Sequence, residues 1–388
     1  MTAGDVPATD VAPPWSFVDD AAGVRPALDR LDAPVLGVDV ERADADRYFR
    51  RAALVQGGTA EGCVLLDTVA LSGLPELDAL FDDHHLAVLH AAENDLAPLT
   101  SLGVTVDRLA DTAVAAALLG LPTGLSRLLD ELLGVRLSDD KDVFQRADWE
   151  QRPLPDDMAA YAAGDVVHLP ALWEELSRRL EEQGRVAWYE EELAAELARA
   201  AEDNRDWTRV KGAARLDPSQ RAVLRSLWEA REAEARAHDI APNRLVHDDV
   251  LREMAVDPPR TEAQLVRRSP RRRGLLRRHA APLFAALEAG LAAEPEPRER
   301  NGRWSDGDRA IHDALRSRRA RVAEELGLEP GVLCPSKVLS AAVAGTPEDG
   351  RQLCTLAGLR TWQTELLAEP LWDAYVTARA QAEAAGDA

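Results

Sequence analysis

The sequence predicts a mixed sheet covered by helices, followed by two all-helical units. Short apolar, strand-like runs cluster before residue 90. Apolar residues at i, i+3 and i+4 dominate from about residue 113 onward. No convincing strand pattern remains beyond about residue 185. A chain of 388 residues exceeds one typical core, so two or three domains are expected.

Taken in order, residues 1–25 open with "MTAGDVPATDVAPPWSFVDD", acidic and Pro-rich, without the basic and apolar regions of a signal peptide. This stretch reads as a disordered tail, with Trp15 and Phe17 as its docking residues. Strand runs follow at 35–40 (VLGVDV), 51–56 (RAALVQ) and 63–67 (CVLLD), separated by turn-like segments, as in an antiparallel meander. A short helix is expected at 75–82 and a fourth strand at 86–90 (LAVLH). Helical periodicity then marks 113–119, 125–134 and 156–183, and an Ala/Glu-rich helix at 185–204 bridges to the all-helical part of the chain. Residues 205–290 and 300–380 form the two helical units, separated by the charged linker "AAEPEPRERNGR". Their segments "SLWEAREAEARAHDIAPNRLVHDDVLREMA" and "DALRSRRARVAEELGLEPGVLCPSKVLSAAV" align by eye, which points to an internal duplication.

Composition narrows the class. No apolar run approaches the ~18 residues that span a bilayer. Three cysteines, Cys63, Cys334 and Cys354, are far apart and odd in number, which fits a reducing compartment and offers no zinc pattern. A cytoplasmic location is expected. The net charge of −22 argues against a polyanionic partner, but residues 260–290 hold eight Arg against two Glu. Only Lys141, Lys211 and Lys337 are lysines among 46 basic residues, a bias that reads as genome composition.

The chemistry begins with Asp39 and Glu41. In a strand, i and i+2 face one side, so two carboxylates project together from the end of an apolar run. Like charges there repel unless a cation compensates them, and a hard divalent ion prefers such oxygen ligands. A solvated strand end paired with Arg42 or Arg47 is the competing reading. Asp95 lies five residues past the fourth strand, where an Asp also serves simply to start a helix. Tyr161 and Asp165, at i and i+4, share one face of an Ala/Gly-rich helix, and a surface Tyr–Asp pair is the alternative there. "DWE" at 148–150 repeats the Asp-x-Glu spacing with no apolar strand before it. The lone His90 is expected to be a structural residue at a helix entry.

The order Asp-x-Glu, Asp, Tyr-x-x-x-Asp on that strand–helix layout resembles the DEDD superfamily of 3′→5′ exonucleases, Tyr subclass. "DTAVAAALLGL", "LSRLLDELLGVRLSDDK", "FQRADWEQRPLPDDMAAYAAGDVVHL" and "LEEQGRVAWYEEE" are similar to bacterial ribonuclease D. "WTRVKGAARLDPSQRAVLRSLWEAREAEARAHDIAPNRLVHDDVL" resembles its HRDC domain, and 300–380 a degenerate second copy. The resemblance implies an α/β ribonuclease H-like exonuclease domain at 26–200, an HRDC domain at 205–290 and a second HRDC-like domain at 300–380. Val40 replaces a Thr common in the first motif without removing a ligand. Ala160 stands where the His subclass has its base, so the Tyr assignment holds.

By this resemblance the chain is a metal-dependent 3′→5′ exoribonuclease acting on structured RNA such as tRNA precursors, as a monomer. A DNA exonuclease and a non-catalytic nucleic-acid-binding protein with the same fold are the alternatives. Two divalent ions, Mg²⁺ or Mn²⁺, would be held by Asp39, Glu41, Asp95 and Asp165. Asp39 would bridge them and Tyr161 would orient the attacking water. The Arg-rich stretch, with Arg267, Arg268, Arg271, Arg272 and Arg273, is a candidate for RNA backbone contact or a solvated helix face. Trp207, Lys211 and Arg215 are expected to be structural. Because the sheet and the five motif residues precede residue 200, a fragment ending there is expected to fold.

Overall fold

Six strands form the sheet: β1 (Trp15–Val18), β2 (Val35–Arg42), β3 (Ala52–Thr59), β4 (Gly62–Asp67), β5 (Leu86–Leu89) and β6 (Leu109–Asp111), in the order β1-β4-β3-β2-β5-β6. The computed structural model describes residues 14–42, 46–71, 77, 81, 84–137, 141–144, 147–202, 205–297 and 304–385. The helix expected at 75–82 falls largely outside them. β3 and β4 are antiparallel, as the meander requires, while β4 is parallel to β1 and β5 is parallel to both β2 and β6. The sheet is therefore mixed.

Two strands escaped the sequence reading. Residues 15–18, expected within a disordered tail ending at 25, form β1 in register with Cys63–Leu66. The helix α1 (Ala21–Leu28) follows it, capped by Asp20, whose carboxylate accepts from the Gly23 amide at 2.8 Å. Trp15, Phe17 and Val18 have the aromatic and β-branched character that favours a strand, and the backbone of these residues pairs with the edge of β4, which outweighs the polar composition around them. The expectation of a disordered tail thus fails for residues 15–25; residues 1–13 lie outside the described set. β6, only three residues long, carried too little pattern to be read.

Helices lie on both faces. Gly57 and Gly58, adjacent in β3, face opposite sides: a Cβ on Gly57 would meet Leu31, after α1, and one on Gly58 would meet Val166. The helices after the sheet are α2 (Leu96–Ser101), α3 (Thr112–Leu118), α4 (Leu125–Leu133), α5 (Lys141–Phe144), α6 (Asp156–Val167), α7 (Leu169–Glu182) and α8 (Val186–Ala201). The run predicted at 156–183 is thus two helices that part at His168, with Pro170, which needs no amide partner, in the first turn of α7.

The chain forms two compact units. One comprises residues 202–300 with the β2–β3 connection, residues 42–53. Its helices are α9 (Pro218–Ala237), α10 (Pro242–Leu245), α11 (Asp248–Val256), α12 (Glu262–Arg267), α13 (Arg273–Arg278) and α14 (Ala280–Ala292). Trp207 is buried in its core beneath the Arg221 guanidinium, in keeping with the structural role expected of it. The other unit joins the sheet domain to residues 301–388, with helices α15 (Asp306–Leu326), α16 (Pro330–Leu333), α17 (Ser336–Ala344), α18 (Gly350–Leu356) and α19 (Thr361–Ala385). Within it the Trp188 and Trp362 rings stack at 4.9 Å, Arg185 donates to the carbonyls of Leu118 and Leu326, and Arg360 pairs with Glu192 at 2.8 Å. A fragment ending at residue 200 would forfeit the Trp188–Trp362 stacking, the Arg185–Leu326 bond and the Arg360–Glu192 pair.

The two helical segments repeat one set of interactions. Asp217 caps α9 and Ser305 caps α15, each in a capping box. Buried Arg231 donates to the Val246 carbonyl (3.0 Å) and to Asp248, while buried Arg319 donates to the Cys334 carbonyl (2.7 Å) and to Ser336. Pro242 and Pro330 begin the next short helix in each copy. All five pairs share one offset, 88 residues (217 to 305, 231 to 319, 242 to 330, 246 to 334, 248 to 336).

Candidate active site

The site is built where α6 lands on the sheet. β2 alternates, with Leu36, Val38 and Val40 buried on one face and Asp39 and Glu41 half-buried on the other. Gly37 shares the face of the two carboxylates, and a Cβ on it would lie 2.0 Å from the Val166 carbonyl oxygen. Gly58 makes the same concession in β3, where a Cβ would meet Val166 Cγ2 at 2.7 Å. A strand glycine of this kind marks close backbone approach. The last turn of α6 therefore rests directly on β2 and β3 and delivers Asp165 beside Asp39 and Glu41. One carboxylate oxygen from each of the three lies within 4.8 Å of the others.

Tyr161, one turn before Asp165, points into the same cluster and hydrogen-bonds the Asp165 side chain. Burial pushes its hydroxyl far above the ordinary phenol range, and the charges of Asp165, Glu41 and Asp39 add to this. Its ring packs against Phe144 (5.0 Å) and Trp149 (6.4 Å). Trp149 is the centre of the "DWE" decoy: its indole donates to the Phe144 carbonyl, and Asp148 accepts from the Glu150 amide, so that segment is a turn. On β4, Cys63 is held as a neutral thiol, first by burial and then by the charge of Asp39.

The segment leading into α6 is anchored by a pair the sequence did not reveal. Arg152 clasps the buried Asp67 with two hydrogen bonds of 2.6 Å and donates to the carbonyls of Trp149 and Gln151. Asp67 also accepts from the amides of Val69 and Ala70.

Asp95 is buried at the start of α2 and stands outside the group of three. Its loop is held by Asp111, whose carboxylate accepts from the amides of Ala91 (3.1 Å), Ala92 (2.8 Å), Ala113 (2.8 Å) and Val114 (3.2 Å). Ala91 sits in the left-handed region at φ 60°, a strained conformation that these bonds hold in place. His90 Nδ1 lies 2.9 Å from Thr112 Oγ1, as befits a structural residue. Asp111 was missed because its role depends on a loop some 20 residues away in sequence.

The donor set of Asp39, Glu41 and Asp165 consists of carboxylate oxygens, which suits a hard divalent cation and not zinc. Within the helical unit, Arg267, Arg271 and Arg273 are exposed, whereas Arg268 binds Asp257 and Arg272 reaches the Asn243 carbonyl. The Arg-rich stretch is thus partly used for internal contacts.

Residues 16–181 match the family model "3′-5′ exonuclease", and residues 220–287 match the HRDC domain. The chain is 32% identical over 381 residues to ribonuclease D of Pseudomonas paraeruginosa, covering 93% of this chain and 97% of that one. It is 29% identical to ribonuclease D of Xanthomonas oryzae pv. oryzae, covering 85% and 90%. Among solved structures, Escherichia coli RNase D is similar with a TM-score of 0.76 at 23% identity, covering 94% of this chain and 99% of that one. A protein from Bifidobacterium adolescentis matches at 0.74 and 26%, covering 95% and 98%.

Proposed function

The chain belongs to the ribonuclease D family, the 3′→5′ exoribonucleases, and we propose that Asp39, Glu41, Asp95, Tyr161 and Asp165 are the residues that carry its activity. The observation that carries this reading is the convergence of Asp39, Glu41 and Asp165 within 4.8 Å, with the Tyr161 hydroxyl bonded to Asp165. These carboxylates, with Asp95 in support, would hold two divalent ions, Mg²⁺ or Mn²⁺. When bound, such ions supply Lewis acidity to the phosphodiester and acidify water.

The chain's own residues do the rest. The Tyr161 hydroxyl, beside Asp165, would orient the attacking water, and an ordinary phenol pKa of about 10 makes it a poor base at neutral pH. Phe144 and Trp149 fix the Tyr161 ring, and the Asp67–Arg152 pair fixes the segment that carries them. Asp111 holds the loop from which Asp95 projects.

The preferred substrate is structured RNA, tRNA precursors above all; the E. coli neighbour is described as an exoribonuclease involved in structured RNA processing. The domains follow the same reading: an exonuclease domain from residue 15 to about 200, an HRDC domain at 205–290, and a second, degenerate HRDC-like domain at 300–380. The shared 88-residue offset of caps and buried arginines supports the second copy. The HRDC domain would contact the RNA backbone through exposed Arg267, Arg271 and Arg273. Arg271 also lines an open pocket of about 620 Å³ with Arg244 and Arg272. No helix among the described residues is long and apolar enough to cross a membrane, and the enzyme would act in the cytoplasm as a monomer.

The test is digestion of 3′-labelled RNA and DNA of one sequence, with Mg²⁺ or with EDTA. Release of the label as a mononucleotide from RNA, abolished by EDTA, is expected. EDTA-resistant cleavage or internal cuts would refute the reading.

A further inference from the structure

The HRDC unit holds a second cluster of ligand groups, of a different chemistry. Glu234 lies in the last turn of α9, His238 four residues on is the C-cap of that helix, and His279 sits between α13 and α14. Glu234 Oε2 is 2.8 Å from His279 Nδ1 and 3.7 Å from His238 Nδ1. The two imidazole rings meet edge to face at 4.6 Å. One donor atom from each of the three side chains lies within 4.8 Å of the others. We propose that Glu234, His238 and His279 form a binding site for a borderline divalent cation of the zinc class, which staples the end of α9 to the start of α14.

Two imidazole nitrogens and one carboxylate oxygen are a donor set that zinc takes with one further position open, whereas magnesium and calcium want oxygen alone. Bonds of about 2.0–2.2 Å arranged tetrahedrally set neighbouring ligand atoms about 3.3 Å apart. The observed 2.8 and 3.7 Å bracket that spacing, so small rotations would close the shell. His279 is buried and Glu234 half-buried, while the His238 side chain is 51% exposed, which leaves that side open to water as the remaining ligand. Both Nδ1 atoms now face Glu234, His238 toward its backbone carbonyl at 2.9 Å and His279 toward its carboxylate. Loading through Nδ1 would place the proton of each neutral ring on Nε2.

The position gives the site a consequence. Asp239, next to His238 and in the left-handed region at φ 49°, accepts from the amides of Tyr48 and Phe49 at 3.1 and 3.0 Å. Fixing the end of α9 would therefore also hold the segment 46–49, which belongs to the same compact unit.

The test uses the full chain carrying Asp39→Asn and Asp165→Asn, so that the acidic cluster does not compete. Zinc is titrated by calorimetry in the presence of millimolar Mg²⁺. One equivalent is expected to bind, to raise the melting temperature and to slow hydrogen exchange at Tyr48 and Phe49. Adding His238→Ala, at a half-exposed side chain, should weaken zinc binding at least tenfold while circular dichroism stays unchanged. Adding Glu234→Gln instead should do the same. Absence of binding in the parent chain, or undiminished binding in either variant, would overturn the proposal. In an otherwise native chain, His238→Ala should leave Mg²⁺-dependent RNA hydrolysis unchanged.

Discussion

Replacing Gly37 with alanine should disable the nuclease without touching one of its carboxylates. The added Cβ would stand 2.0 Å from the Val166 carbonyl oxygen, whereas real contacts of this kind essentially never fall below 3.0 Å. β2 and α6 must therefore separate by at least about 1 Å, since a backbone oxygen cannot rotate away as a side chain can. Overpacking of this order costs about 1–3 kcal/mol, which a domain of normal stability survives. The catalytic cost is larger, because Asp39 and Glu41 ride on one element and Tyr161 and Asp165 on the other. A misplacement of about 1 Å can lower turnover by about 10²-fold. The assay is turnover on 3′-labelled RNA at saturating Mg²⁺, paired with urea denaturation. Gly164→Ala on α6 is the control, since its Cβ would meet only Leu137 at 3.6 Å. It should keep activity and gain up to about 1 kcal/mol from helix propensity. Gly58→Ala should be partly rescued by Val166→Ala, because its closest clash is with a side chain, and Gly37→Ala should not. Retention of more than a tenth of wild-type turnover in Gly37→Ala would refute the claim that this contact sets the site.

Asp39→Asn should abolish hydrolysis while leaving folding and RNA binding nearly intact; more than a tenth of native activity in Mg²⁺ would contradict the metal-ligand role. Tyr161→Phe should lower turnover by about 10- to 100-fold, far less than the Asp39 change. Because the phenol is shifted upward, native and Tyr161→Phe rate profiles should keep one shape up to about pH 10, the ordinary phenol value; a Tyr-dependent inflection below that would show ionisation. Arg152→Ala should destabilise the sheet domain by about 3–5 kcal/mol by stranding the buried Asp67 carboxylate, read by urea denaturation at pH 7. Burial pushes the Asp67 pKa up, but the hydrogen bonds and charge of Arg152 and the Ala70 and Val69 amides bring it to a net lowered value. Its contribution is therefore complete above the unfolded value of about 3.9 and is lost as pH falls through the folded one; the Arg152→Ala deficit should shrink only in that acid range.

The site was legible where chemistry follows local periodicity. Asp39 and Glu41 share a face because a strand repeats every two residues, and Tyr161 and Asp165 share one because a helix brings i and i+4 together. The features that stayed hidden depend on partners distant in sequence. Gly37 and Gly58 read as weak strand residues until Val166 lies across them, and Asp67 reads as a strand end until Arg152 arrives from 85 residues on. β1 was lost because four residues beside an acidic, Pro-rich stretch carry no period of their own; β4 supplies the reason for the strand. The helical duplication was visible by eye in two segments. Its physical content, an arginine buried against a carbonyl 15 residues later in each copy, needed the structure.

The central claim is that Asp39, Glu41 and Asp165, with Asp95 in support, form a two-ion centre. Anomalous diffraction from crystals soaked in Mn²⁺ tests it most directly. The account predicts two peaks about 4 Å apart at these carboxylates, and loss of at least one peak in the Asp39→Asn protein. A crystal of active enzyme with no peak at these carboxylates, or with its manganese held elsewhere, would contradict it.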